Sequence, residues 1–164
     1  MKNHLKKFAA LLIAAGIAFS APTPATAAEI GDIEAPSAVL MVANTGTVLY
    51  EKDAHERRPC GSVTKVMSIL LFMEALDSGK ISLEDPVTTS EFASSMGGSE
   101  IWLEVGEVMT VDELLKAIMI QSANDATVAM AEYVAGSEAA FLDMMNQKAE
   151  ELGMKDTHYL NTTG

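Results

Sequence analysis

Apolar and polar positions follow three rhythms along the chain. Residues 37–43 (Ser-Ala-Val-Leu-Met-Val-Ala) and 47–51 (Thr-Val-Leu-Tyr-Glu) are short apolar runs on either side of Asn44-Thr45-Gly46, which predicts two strands joined by a tight turn. The first run is apolar on both faces, the pattern of a strand covered by helices on each side. A hairpin alone is not stable, so further strands or helical packing must complete it. From Ser62 to about Asp77 the residues Val66, Met67, Ile69, Leu70, Leu71, Phe72 and Met73 occupy nearly every helical face. That predicts a helix buried all round, stopping at Ser78-Gly79.

The second half reads as helices. Thr110-Val111-Asp112-Glu113 is a capping box, and Val111, Leu114, Leu115, Ile118 and Met119 recur at helical spacing, predicting a helix that ends near Gln121-Ser122. Asn124-Asp125 can cap a following helix over 126–135, apolar on most faces and therefore central. Gly136-Ser137 separates it from a helix with the stripe Phe141, Met144, Met145, Ala149 and Leu152, closed by Gly153. Residues 80–109 are mixed: Pro86 breaks any helix, Ser90 can cap a short one, and Gly97-Gly98-Ser99 is a loop.

Composition changes the picture at the N-terminus. Lys2, Lys6 and Lys7 precede an apolar run from Phe8 to Phe19, and Ala25-Thr26-Ala27 has the small-x-small form of a cleavage site. Residues 1–27 therefore read as a secretory signal peptide, and 28–164 as the exported part. The run is shorter than the about 20 apolar residues a membrane span needs. Without residues 1–27, Lys+Arg falls from 11 to 8 against 23 Asp+Glu, a net charge of −15. Such a chain is repelled by nucleic acid and by anionic headgroups, so neither is an expected partner. The single cysteine, Cys60, excludes an internal disulfide framework and reads as a small buried hydrophobe.

Two short motifs could carry chemistry. In Ser62-Val63-Thr64-Lys65 the serine and lysine lie one helical turn apart, within reach of each other as nucleophile and base. A free lysine titrates near ~10.4, so a base at neutral pH needs its pKa lowered, which burial can supply. Ser122-Ala123-Asn124 sits in a turn between helices, where polar side chains can project into a cleft. The bland alternative makes Ser62 an N-cap, lets Lys65 snorkel to solvent, and leaves Asn124 as a cap. No spacing supports a triad of Ser62 with His55 or His158, and there is no Gly-x-Ser-x-Gly. His-Glu-x-x-His, paired cysteines and a phosphate-cradling glycine loop are also absent from the sequence. Neither a metal nor another cofactor is expected.

Together with these two motifs, Met144-x-Asn146-x-x-Ala149-x-x-Leu152-Gly153-Met154-x-x-Thr157, Gly98-Ser99 and Leu103-x-x-Gly106-Glu107 form an ordered pattern over residues 37–164. The pattern resembles the D-alanyl-D-alanine carboxypeptidases, low-molecular-weight penicillin-binding proteins that share a fold with class A β-lactamases. The resemblance implies an α+β fold: an antiparallel sheet packed by helices, with a helical subdomain. It implies a serine-type carboxypeptidase acting on peptidoglycan stem peptides that end in D-Ala-D-Ala, at the outer face of the cytoplasmic membrane or in the periplasm, and inhibited by β-lactams. Ser62 would be the acyl-ester nucleophile, Lys65 the general base, Ser122 a proton relay, and Asn124 a substrate-binding residue.

The sequence departs from the family in one respect. No Lys-Thr-Gly triplet follows the Ser-x-Asn motif within the 164 residues. Residues 28–164 are thus expected to be the front portion of a catalytic domain, mostly helical, poorly folded and inactive alone, with membrane association possible only through a C-terminal anchor not in this sequence. Two other readings compete: a β-lactamase, against which Ala123 stands where such enzymes usually carry aspartate, and a non-catalytic cell-wall-binding module.

Overall fold

The computed structural model describes Gly31 and residues 33–164. The signal-peptide expectation for residues 1–27 lies outside the described residues. The chain divides into two compact units, one through Glu56 and one from Arg57 onward, and each is described by itself.

In the first unit, β1 (Ala38–Met41) and β2 (Val48–Lys52) pair antiparallel, Ala38 opposite Lys52 and Leu40 opposite Tyr50, with an irregularity between Leu40 and Met41. The Val42 N–H donates to the Thr47 carbonyl (2.9 Å) and the Gly46 N–H to the Val42 carbonyl (2.9 Å), closing the expected turn. Gly46 sits there at φ +69°, where a side chain would be strained. Among the described residues the expected cover over both faces of the first strand is not found. Val39, Leu40 and Met41 are all about half exposed, as are Val48 and Leu49 of β2. A strand apolar on both faces states a need for neighbours, and a two-stranded ribbon has no second layer of its own to supply them.

In the second unit, a 3₁₀ turn (Gly61–Thr64) leads into α1 (Lys65–Asp77). Then follow β3 (Pro86–Thr88), α2 (Glu91–Ser94), β4 (Val108–Thr110), α3 (Val111–Gln121), α4 (Asn124–Ala135) and α5 (Glu138–Glu151). The region left open by the sequence thus contributes a small antiparallel ribbon, Pro86 opposite Thr110, with proline at the first strand position where its missing N–H matters least. Local signals set several boundaries. The Ser90 hydroxyl accepts from the Ala93 N–H (2.9 Å), both halves of the Thr110–Glu113 capping box form, and Ser137 accepts from the Ala140 N–H (3.1 Å).

Helix α4 is the hub, packed against α1, α2, α3, α5 and β3. Ala126, Val128, Ala129, Met130, Ala131 and Val134 are all buried, and the small residues allow close approach from several sides at once. It starts two residues earlier than expected: Asn124 and Asp125 lie inside the helix, and no side chain caps it. Helix α1 corrects a second expectation. Met67, Leu71, Phe72 and Ala75 face the core, and the Phe72 ring meets Phe141 of α5 at 4.9 Å, but Val63, Val66, Leu70 and Met73 form an exposed apolar stripe. Among the described residues α4 and α5 pack against this helix. Lys148 of α5 adds an ion pair to Glu74 of α1 (3.1 Å).

Candidate active site

Gly61 adopts φ +54° at the start of the 3₁₀ turn, a conformation open to glycine, and so lets the chain double back directly before the serine. Ser62 is exposed within this turn, and Cys60 at its N-cap is also exposed rather than buried as expected. Lys65, the first residue of α1, is only 3% exposed. Its Nζ lies 3.2 Å from Ser62 Oγ and donates to the Thr163 carbonyl at 3.0 Å. The bland alternative therefore fails for this pair: the serine hydroxyl caps nothing, and the amine turns inward instead of reaching for solvent. Burial lowers the Lys65 pKa, because desolvation penalises the ammonium form. A buried amine at hydrogen-bond distance from an exposed hydroxyl can take the hydroxyl proton once it is neutral.

The second motif sits at the α3–α4 junction. Ser122 is the C-cap of α3 in the left-handed region (φ 58°, ψ 36°), a conformation that costs a non-glycine residue about 1–3 kcal/mol and is concentrated at functional sites. Asn124 Nδ2 donates to the Gly97 carbonyl (2.7 Å), and its backbone N–H donates to the Ser99 carbonyl (2.7 Å). Its Oδ1 is buried with no hydrogen-bond partner, a lone acceptor that buried polar groups seldom tolerate. No hydrogen bond joins Ser122 or Asn124 to Ser62 or Lys65. The two motifs are related through their helices instead, since Lys65 opens α1, Asn124 opens α4, and these helices pack together.

Asp125 was missed by sequence reasoning. Fully buried, its carboxylate accepts from the backbone N–H groups of Ile101 (3.1 Å), Leu103 (3.0 Å) and Ala126 (2.8 Å). Asn124 and Asp125 together bind the loop 97–103 to the start of α4. The left-handed Trp102 (φ 58°) lies between the two clamped amides. An acid at the first turn of a helix was a weak clue, since acids there are favoured by the helix dipole whatever else they touch. A surface cavity of about 600 Å³ borders Gly61 and Thr64, but none of Ser62, Lys65, Ser122 and Asn124 lines it. Among the described residues, no cluster of three or more His, Cys, Asp or Glu side chains could hold a metal ion, and no helix is long and apolar enough to cross a membrane.

Residues 22–164 match the family model of D-alanyl-D-alanine carboxypeptidases. The chain belongs to this family. It is 59% identical over 131 residues to the D-alanyl-D-alanine carboxypeptidase DacF of Bacillus subtilis, covering 80% of this chain and 34% of that protein. The crystal structure of the D-alanyl-D-alanine carboxypeptidase DacD of Francisella tularensis superposes with a TM-score of 0.78 at 37% identity, over 81% of this chain and 32% of that one. Penicillin-binding protein 5 of Haemophilus influenzae does so with a TM-score of 0.78 at 32% identity, over 81% of this chain and 40% of that one. The α+β fold implied by the sequence resemblance is the carboxypeptidase family's fold. The chain spans about a third of the length of the curated relative above.

Proposed function

We propose that the protein carrying this chain is an exported serine D-alanyl-D-alanine carboxypeptidase that removes the terminal D-alanine from peptidoglycan stem peptides and is acylated by β-lactams. Residues 1–27 serve as its signal peptide, and residues 28–164 supply the nucleophile and base of its catalytic domain. Neutral Lys65 takes the proton from Ser62 Oγ as that oxygen attacks the carbonyl between the two D-alanines. The Ser62 backbone N–H and the positive end of the turn and helix behind it stabilise the oxyanion. Ser122 passes a proton to the leaving D-alanine amine. The unpartnered Oδ1 of Asn124 is free to accept from a substrate amide or from Lys65. Water then cleaves the acyl-enzyme and regenerates Ser62.

The observation that carries this reading is the 3.2 Å approach of a buried Lys65 to Ser62 Oγ. Relatives named carboxypeptidases favour it over a β-lactamase or a non-catalytic wall-binding module. Fluorescent penicillin should label the full-length protein covalently, and Ser62→Ala should abolish the label. Labelling that persists in Ser62→Ala would sink the assignment. Rapid β-lactam turnover would point to the lactamase, and peptidoglycan binding without D-alanine release to the module.

A further inference from the structure

We infer that Ser68, Thr162 and Glu138 form a latch that fixes the Lys65 amine, and so act as positioning residues for the reaction proposed above, on which this inference rests. Among the described residues, Lys65 Nζ has one hydrogen-bond partner besides Ser62 Oγ, the Thr163 carbonyl, 98 residues along the chain. Something must hold that carbonyl in place. The neighbouring Thr162 is fully buried and bound from both sides. Its carbonyl accepts from Ser68 Oγ at 2.8 Å, while its Oγ1 and N–H donate to Glu138 Oε1 at 3.1 and 3.3 Å. Ser68, also fully buried, lies three residues after Lys65 on α1. One helix face therefore carries both the amine and the hydroxyl that grips the segment facing it. Glu138, the first residue of α5, closes the latch from the second helix packed on α1.

A serine and a threonine with no exposure are costly unless their bonds are met, and here each has its partner. The chemistry explains what the latch does. A neutral lysine amine has two N–H groups and one lone pair. With one N–H given to the Thr163 carbonyl, rotation about the last carbon–nitrogen bond is restricted, and the lone pair can be aimed at the Ser62 hydroxyl. The same segment helps exclude water from the amine. Among the described residues, burial is the cause that lowers the Lys65 pKa. Ionisable groups on neighbouring elements are engaged elsewhere: Asp125 of α4 with the 97–103 loop, Glu138 of α5 with Thr162, and Lys148 of α5 with Glu74 and Glu151. Opening the latch admits water to Lys65, and its pKa rises toward the ordinary lysine value.

The test compares the full-length protein with Thr162→Val, Thr162→Ser and Ser68→Ala. Penicillin acylation rates, and the pH dependence of Lys65 acetylation by acetic anhydride read by mass spectrometry, are followed from about pH 6 to about pH 10, spanning the ordinary lysine value. Thr162→Val and Ser68→Ala should slow acylation at pH 7 by roughly ten- to a hundredfold. The rate should recover as pH rises, because the better-hydrated lysine needs a higher pH to become neutral, and the midpoint of Lys65 acetylation should move up in step. Thr162→Ser, which keeps the bond to Glu138, should retain the parent profile. A loss equal at every pH, or an unmoved acetylation midpoint in both Thr162→Val and Ser68→Ala, overturns the latch. Should those two fail to fold, Glu138→Ala breaks the same network from the half-buried end and is judged by the same criteria. Absence of acylation in the parent protein would defeat the carboxypeptidase reading, while the acetylation midpoints would still decide the latch.

Discussion

Helices α1 and α4 are both apolar on most faces, yet α4 is buried along most of its length while α1 keeps an exposed row. The difference lies in what surrounds each helix. Around α4 stand three helices besides α1, together with β3, and its alanines let them close in. Among the described residues α4 and α5 pack on α1, and the row of Val63 from the preceding turn with Val66, Leu70 and Met73 is exposed. An apolar face records what a helix can bury, and its neighbours decide what is buried. Both helices nonetheless place a candidate functional residue at their first position, Lys65 in one and Asn124 in the other. Lys65 is buried and Asn124 partly buried, each held by hydrogen bonds to a distant loop.

Substitutions across the two faces of α1 would break this contrast if it is wrong. Phe72→Ala, at a site with no exposure stacked on Phe141, should cost about 3–5 kcal/mol through the cavity it leaves. Urea denaturation checks it. Asp125→Ala on α4 should follow at about 2–3 kcal/mol, because the Ile101 and Leu103 amides lose their acceptor. It should also slow acylation by loosening the loop that Asn124 holds, which a penicillin-labelling time course would report. Val66→Ser, on the uncovered face, should change stability by no more than about 0.5 kcal/mol. A cost comparable to that of Phe72→Ala would mean that this face is packed in solution.

Several features were legible in the sequence because they are local. The Thr110–Glu113 box and the Ser90 cap depend on residues three apart, and the structure keeps both; of the expected stripe, Phe141, Met145 and Ala149 are buried and Met144 partly so, while Leu152 lies past the helix end and is exposed. The Ser62–Lys65 approach is of the same kind. What could not be read involves long separations or missing neighbours. Asp125 meets partners 22 and 24 residues away, and Thr163 meets Lys65 across 98 residues. No periodicity announces such contacts. The start of α4 was misplaced because Asn124 and Asp125 are the types that cap helices, whereas here their side chains are engaged by the 97–103 loop. The burial of β1 and of the outer face of α1 was overestimated for a common reason: a run apolar on all sides says nothing of how many sides are met.

The stripe on α1 also bears on how the polypeptide behaves in a tube. An apolar ridge on residues 28–164, with 23 acidic and 8 basic residues, makes colloidal behaviour a contest between adhesion and mutual repulsion. At neutral pH the negative charge keeps molecules apart. As carboxylates take up protons near pH ~4, that repulsion fades and the ridge is left to find another like it. For the polypeptide of residues 28–164, handling below about pH 5 should favour precipitation, and polar replacements at Val66, Leu70 and Met73 should reduce it.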